Sequence, residues 1–160
     1  MARDRISSGR RGAGLAGVLV ALLCAACAPA VPAKRAAGEV PTIVSLNPCL
    51  DAILVEVAAP GQVLALSHYS RDPGSSSIPP KVAARYAVTA GTAEEVIALQ
   101  PDLVLASTFL PQPTRSALER AGLRVETFGS PKTIAESIAQ VREVADLAER
   151  TRSGAVLAAR

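Results

Sequence analysis

Gly91-Thr-Ala-Glu-Glu-Val-Ile-Ala-Leu-Gln-Pro-Asp-Leu-Val-Leu-Ala106 holds a helix, a stop and a strand in immediate succession. Thr92-Ala-Glu-Glu95 is a capping box: the Thr92 hydroxyl accepts from an exposed first-turn N–H, and Glu95 reaches back toward the helix start. The helix ends near Gln100, because Pro101 cannot continue it. Asp102-Leu-Val-Leu-Ala106 follows as a continuous apolar run, the pattern of a strand buried on both faces. A helix passing directly into such a strand is half of a βαβ unit.

The alternation extends in both directions. Downstream, Pro111 to Ala121 reads as a helix closed by Gly122, and Leu123 to Phe128 alternates as a strand with one more polar face, suited to a sheet edge. Thr133-Ile-Ala-Glu136 is a second capping box, and behind it Ile134, Ile138, Val141, Ala145 and Ala148 recur on one helical face. Upstream, Thr42 to Leu46 is a short β-branched strand, Asn47-Pro48 caps and starts a helix through Val57, and Gln62 to Leu66 is a second strand. Residues Ser67 to Pro80 form a polar loop with too much Pro, Gly and Ser to extend either neighbour. The fold class is therefore α/β: a Rossmann-like parallel sheet with helices on both faces, joined by right-handed crossovers. The ordered lobe is expected over residues 41–150, after a Pro/Ala/Lys linker at 31–40, and residues 151–160 start a further helix.

Residues 1–30 read as a secretory signal peptide: an arginine-rich start, the apolar run Leu15 to Leu23, and the small-residue stretch Ala28-Pro-Ala30. That run is shorter than the ~20 residues needed to span a bilayer. Cys27, after Ala25-Ala26, is a candidate lipid-anchor site, although Cys24 occupies the place where such sites usually carry leucine. Periplasmic localisation is the expectation. The formal net charge of +3 resides in this segment, where four arginines face one aspartate; the remainder carries equal numbers of basic and acidic residues. With aromatics at 2%, neither charge nor stacking surface argues for a nucleic-acid partner.

In an open parallel sheet, ligands bind beyond the carboxyl ends of the strands, where strand order reverses. This selects four loops: Asn47–Asp51, Ser67–Asp72, Tyr86–Glu94 and Ser107–Leu110. Asn47 caps a helix whose first N–H groups favour an anion, though most helix starts simply face water. His68, Tyr69 and Arg71 offer donors and an aromatic face. His68 is the sole histidine, which argues against a direct metal site. Cys49 with His68 and Asp51 admits a thiol-hydrolase reading; against it, no G-x-S-x-G elbow, P-loop or G-x-G-x-x-G is present, and a lone cysteine is more often packing.

Ile43-Val-Ser-Leu-Asn-Pro-Cys-Leu-Asp51, Gln62-Val-Leu-Ala-Leu-Ser-His-Tyr-Ser70 and the opening stretch through Ala106, in this order and spacing, resemble periplasmic substrate-binding proteins of ABC importers for ferric siderophores, haem or cobalamin. The likeness covers roughly residues 41 to 150. It implies one lobe of a normally two-lobed binder, with ligand in the cleft between lobes and delivery to a membrane permease. It implies that Asn47, Pro48, Cys49, Ser67, His68, Tyr69, Arg71, Ser107 and Thr108 border the ligand, and that Glu94 docks against the permease. A first-turn glutamate stabilising its helix dipole is the competing account of Glu94. The resemblance also implies that 151–160 begins the helix linking the lobes and that a second lobe is missing from this sequence. No cofactor or catalytic residue is implied, the ligand being the metal chelate itself. A small exported hydrolase using Cys49 and His68, and a non-transport interaction module, are the alternatives.

Overall fold

A computed structural model describes residues 38–160. The expected signal peptide, most of the linker and the candidate anchor Cys27 lie outside the described residues.

Strands β1 (Ile43–Ser45), β2 (Val63–Ser67), β3 (Val88–Thr89), β4 (Leu103–Ser107) and β5 (Arg124–Phe128) form one sheet in the order β3-β2-β1-β4-β5. Every pairing is parallel. Helices α1 (Pro48–Val57), α2 (Pro80–Ala83), α3 (Ala93–Leu99), α4 (Gln112–Arg120), α5 (Ile134–Leu147) and α6 (Thr151–Ala158) alternate with the strands or follow them. A 3-10 turn spans His68–Arg71.

The two-residue period of the strands sorts side chains to two faces. Ile43, Leu103, Leu105 and Phe128 point to one face and pack with Leu50, Leu54 and Val57 of α1 and Val144 and Ala145 of α5. Val44, Ala65 and Val104 point to the other and pack with Ala93 and Val96 of α3 and Leu118 of α4. The continuous apolar run in β4 is thus explained, since both of its faces are covered by helices. Each fully buried side chain such as Leu54 or Leu105 contributes about 1.5–3 kcal/mol relative to exposure.

Local chemistry sets the element ends. Asn47 Oδ1 accepts from Cys49 N–H at 2.8 Å, and Pro48 opens α1 where its missing N–H has no helical partner to lose. Helix α3 ends with Gln100 in the left-handed region at φ 48°, immediately before Pro101. At the amino edge, Asp102 Oδ2 accepts from both the Thr42 N–H and hydroxyl at 2.8 Å, tying the starts of β1 and β4 together.

Several details differ from the sequence expectation. The stretch from Ser67 to Pro80 is not one loop: Ser67 ends β2, His68–Arg71 turns as a 3-10 helix, and α2 begins at Pro80. The edge strand β3 was hidden within the expected Tyr86–Glu94 loop, because two residues are too few to show a period. Ile134 is 81% exposed, so the inward stripe of α5 begins later and includes Val144. The returning arms of both capping boxes also land elsewhere. Thr92 and Thr133 cap as expected, but Glu95 bonds Ala90 N–H and Glu136 bonds Lys132 N–H.

After α5, Glu149 at φ 55° reverses the chain and α6 packs on α5 and α1. Gly154 is what allows this approach, since a Cβ there would overlap the Ala145 Cβ. Arg150 Nε donates to the Val57 carbonyl at 3.2 Å, capping the end of α1. No helix among the described residues is long and apolar enough to cross a membrane.

Candidate functional site

Strand order reverses between β1 and β4, the two strands from which the chain departs in opposite directions across the sheet. The loops following β1, β2, β3 and β4 therefore meet at one carboxyl edge. Between them lies a depression of about 300 Å3 whose lining includes Leu46, Ser67, His68, Tyr69, Gly91 and Thr114. Its volume sits at the low end for ligand sites. A larger hollow of about 620 Å3 beside α5 is lined mainly by charged surface side chains such as Arg124, Arg142 and Asp146, and Arg124 starts β5 at the opposite edge.

The rim of the carboxyl edge carries exposed aromatic surface. Tyr69 is 45% and Phe109 83% exposed, and the His68 and Tyr69 rings stand 4.0 Å apart at 35°. The Ser107 hydroxyl accepts from Phe109 N–H at 3.1 Å, and Ser107 O accepts from Leu110 N–H at 2.9 Å, so Phe109 is presented on a tight turn. Thr108 N–H donates to Phe128 O at 3.0 Å.

Two carboxylates organise this edge from behind. Glu95 Oε2 accepts from the Thr89 hydroxyl at 2.6 Å and from Ala90 N–H at 2.8 Å, fixing the turn that ends at Gly91. The Thr89 hydroxyl bond, chiefly, holds its carboxyl below the usual glutamate range, with a smaller contribution from the charge of His68. Asp51, fully buried in the first turn of α1, accepts through Oδ2 from Ser67 N–H at 3.1 Å and from the hydroxyls of Ser67 and Ser70 at 2.5 and 2.6 Å. Burial pushes the Asp51 carboxyl up, opposed by the hydroxyls of Ser45, Ser67 and Ser70 and by the Ser67 N–H. Its Oδ1 is buried without a hydrogen-bond partner.

Of the residues singled out from sequence, Ser67, His68 and Tyr69 line the depression. Asn47, Pro48, Cys49, Ser107 and Thr108 belong to the same edge but outside that lining. Arg71 is turned aside, its guanidinium donating to Tyr86 O at 2.7 Å. Cys49 is exposed, and no hydrogen bond joins it to His68. Glu94 is exposed in the first turn of α3 and makes none of the bonds that occupy Glu95. Sequence reasoning missed Leu46, Thr114 and the supporting role of Glu95. It weighed Asp51 only beside Cys49, since nothing in spacing announces a bond to serines 16 and 19 residues away. Among the described residues, no group of three or more His, Cys, Asp or Glu side chains is placed to hold a metal ion.

Fold and edge together define a single α/β lobe of the Rossmann-like kind with a crevice at its topological switch point. A family model described as periplasmic binding protein matches residues 43–160, and the chain belongs to that family. Among solved structures, it is similar to a periplasmic heme binding protein from Pseudomonas aeruginosa, at 19% identity and a TM-score of 0.60 over 75% of this chain and 42% of that one. It is likewise similar to the periplasmic heme-binding protein RhuT from Roseiflexus sp. RS-1, at 22% identity and 0.62 over 76% and 46%. A third is the periplasmic heme binding protein HutB of Vibrio cholerae, at 17% identity and 0.60 over 73% and 44%. At these identities the likeness establishes the fold. The chain spans less than half the length of these structures. No curated protein matches it.

Proposed function

We propose that this lobe is the ligand-capturing part of an exported solute receptor, working in the periplasm, that takes a metal chelate of the haem, ferric-siderophore or cobalamin type and delivers it to an ABC-importer permease. The observation that carries the reading is the carboxyl-edge depression at the switch point, with Tyr69 and Phe109 as exposed aromatic surface beside it. A flat, largely apolar chelate gains from aromatic faces, while His68 supplies a polar contact. The family membership and the three haem-binding structural relatives support the same class of ligand. Glu94, exposed and without a hydrogen-bond partner among the described residues, is the residue through which this lobe docks on the permease. The thiol-hydrolase reading draws no support from the geometry, since no hydrogen bond joins Cys49 to His68 and Cys49 lies outside the depression.

Calorimetric titration of the chain against haemin, a ferric siderophore and cobalamin tests the proposal, beside a chain extended by a second lobe. Saturable binding of one of these, abolished by Tyr69→Ala, is the expected result. No binding to either chain would overturn it.

A further inference from the structure

We propose that Asp51 is the positioning residue of the carboxyl edge: its buried carboxylate holds the His68–Arg71 turn, and so fixes where His68 and Tyr69 stand for a ligand. The part of this that concerns a ligand rests on the function proposed above; the part that concerns the turn does not.

A carboxylate of 0% exposure with no cation beside it among the described residues is costly to keep. Stabilising the positive end of α1 would not require burial, because a first-turn acid acts on the helix dipole from the surface. What burial secures is visible in the bonding. Ser67 and Ser70 donate their hydroxyls to one and the same oxygen, at 2.5 and 2.6 Å, and Ser67 adds its N–H at 3.1 Å. Two side chains three residues apart that meet at a single atom force the chain between them into a tight turn, and His68 and Tyr69 are the residues between them. Their rings, 4.0 Å apart, thus stand on a segment clamped at both ends. Charge-assisted bonds of this kind are about twice as strong as neutral ones, so the clamp depends on the carboxylate being ionised. The unpartnered Oδ1 is the atom that would take a proton; protonation there would leave Oδ2 a neutral acceptor and loosen the turn.

No neighbouring charge complicates this dependence. Strands β1 and β2 carry no titratable side chain, the turn carries His68, Tyr69 and Arg71, and α1 itself carries Cys49 and Glu56. Helix α5 carries Glu136, Arg142, Glu143 and Asp146, and α6 carries Arg152. None of these is among the forces acting on the Asp51 carboxyl, which are burial, the three serine hydroxyls and the Ser67 N–H.

His68 is the only histidine in the chain, and the Tyr69 ring, 4.0 Å away, is expected to displace its imidazole proton resonances. Those resonances, followed from about pH 4 to 8 in the full chain, report the turn directly. In the wild type they are expected to show a step that follows the Asp51 carboxyl. Asp51→Asn is expected to abolish that step and shrink the ring-current displacement throughout; Ser70→Ala is expected to shrink the displacement while keeping the step. Superimposable wild-type and Asp51→Asn profiles would overturn the proposal. If Asp51→Asn shows no cooperative thermal transition, Ser70→Ala decides, and an unchanged displacement there overturns it.

Haemin titration of the same variants supplies the second arm, with affinity about tenfold weaker in Asp51→Asn. Equal haemin affinity despite a displaced His68 signal would overturn the positioning role. Failure of haemin to bind the wild type would count against the ligand reading, and the His68 profile would still support or overturn the clamp independently.

Discussion

The side-chain amide of Gln62 donates to the Ala148 carbonyl at 2.8 Å, joining the entrance of β2 to the end of α5 across 86 residues of chain. Its own oxygen accepts from Ala59 N–H at 2.9 Å, and the residue is 2% exposed. Gln62→Leu leaves the buried Ala148 carbonyl and the part-buried Ala59 N–H without these partners and is expected to cost about 1–3 kcal/mol. Urea unfolding would show this as a lower midpoint at unchanged slope. Because Gln62 sits at the amino edge of the sheet, the loops after the strands, and any ligand there, are expected to be unaffected.

Gly154→Ala is expected to destabilise the lobe although alanine is the better helix former by about 1 kcal/mol. The new Cβ would overlap the Ala145 Cβ, and both atoms are fixed to helix backbones, so relieving the overlap costs about 1–3 kcal/mol. Combining it with Ala145→Gly removes the clash from the other side. A double-mutant cycle that shows no recovery would place the constraint elsewhere.

The sign of the Asp51 contribution to stability follows from its raised carboxyl. The folded state holds this proton more readily than the unfolded state, whose value is 3.8. Between 3.8 and the raised value the folded chain binds more protons, so stability falls as pH rises through that window and is level above it. Asp51→Asn is expected to flatten this segment and to match or exceed the wild type in stability at neutral pH, as read from urea midpoints across a pH series. A steeper fall in the variant would refute burial as the dominant force.

Glu94 and Glu95 are neighbours for which separate roles are proposed. Glu95→Gln weakens the bonds to Thr89 and Ala90 and is expected to lower haemin affinity, whereas Glu94→Arg is expected to leave it unchanged. In a two-lobed chain with its permease, Glu94→Arg is expected to reduce stimulation of ATP hydrolysis. Since Glu95 is held below 4.5 when folded, its stabilising contribution is complete above 4.5 and is lost as pH falls through the lowered value. Glu95→Gln should lack that acid-side loss.

The fold was largely legible because its signals are local. The capping threonines, Pro101 and the apolar run of β4 each declare an element within a few residues, and α/β alternation with parallel pairing follows from their order. The two-residue β3 and the turn at His68 were not legible, since their conformations are imposed by partners distant in sequence: Leu66 pairs with Val88, and Ser70 meets Asp51. The site divides in the same way. Ser67, His68 and Tyr69 could be named from their place after a strand, but the turning of the exposed Arg71 toward Tyr86 and the buried role of Asp51 exist only once the sheet has brought separate segments together.

The placement of β1 at the centre of the sheet has a kinetic consequence. It is the first strand of the sheet in the chain, yet its second neighbour begins at Leu103, and the Thr42–Asp102 clasp beside that pairing closes a loop of 60 residues. Until β4 arrives, one side of β1 offers unpaired backbone groups, and no local hairpin can satisfy them. Loop closure between these strands is therefore expected to limit the folding rate, so that the half-formed lobe stays open and extensible for longer than a helical protein of equal length would.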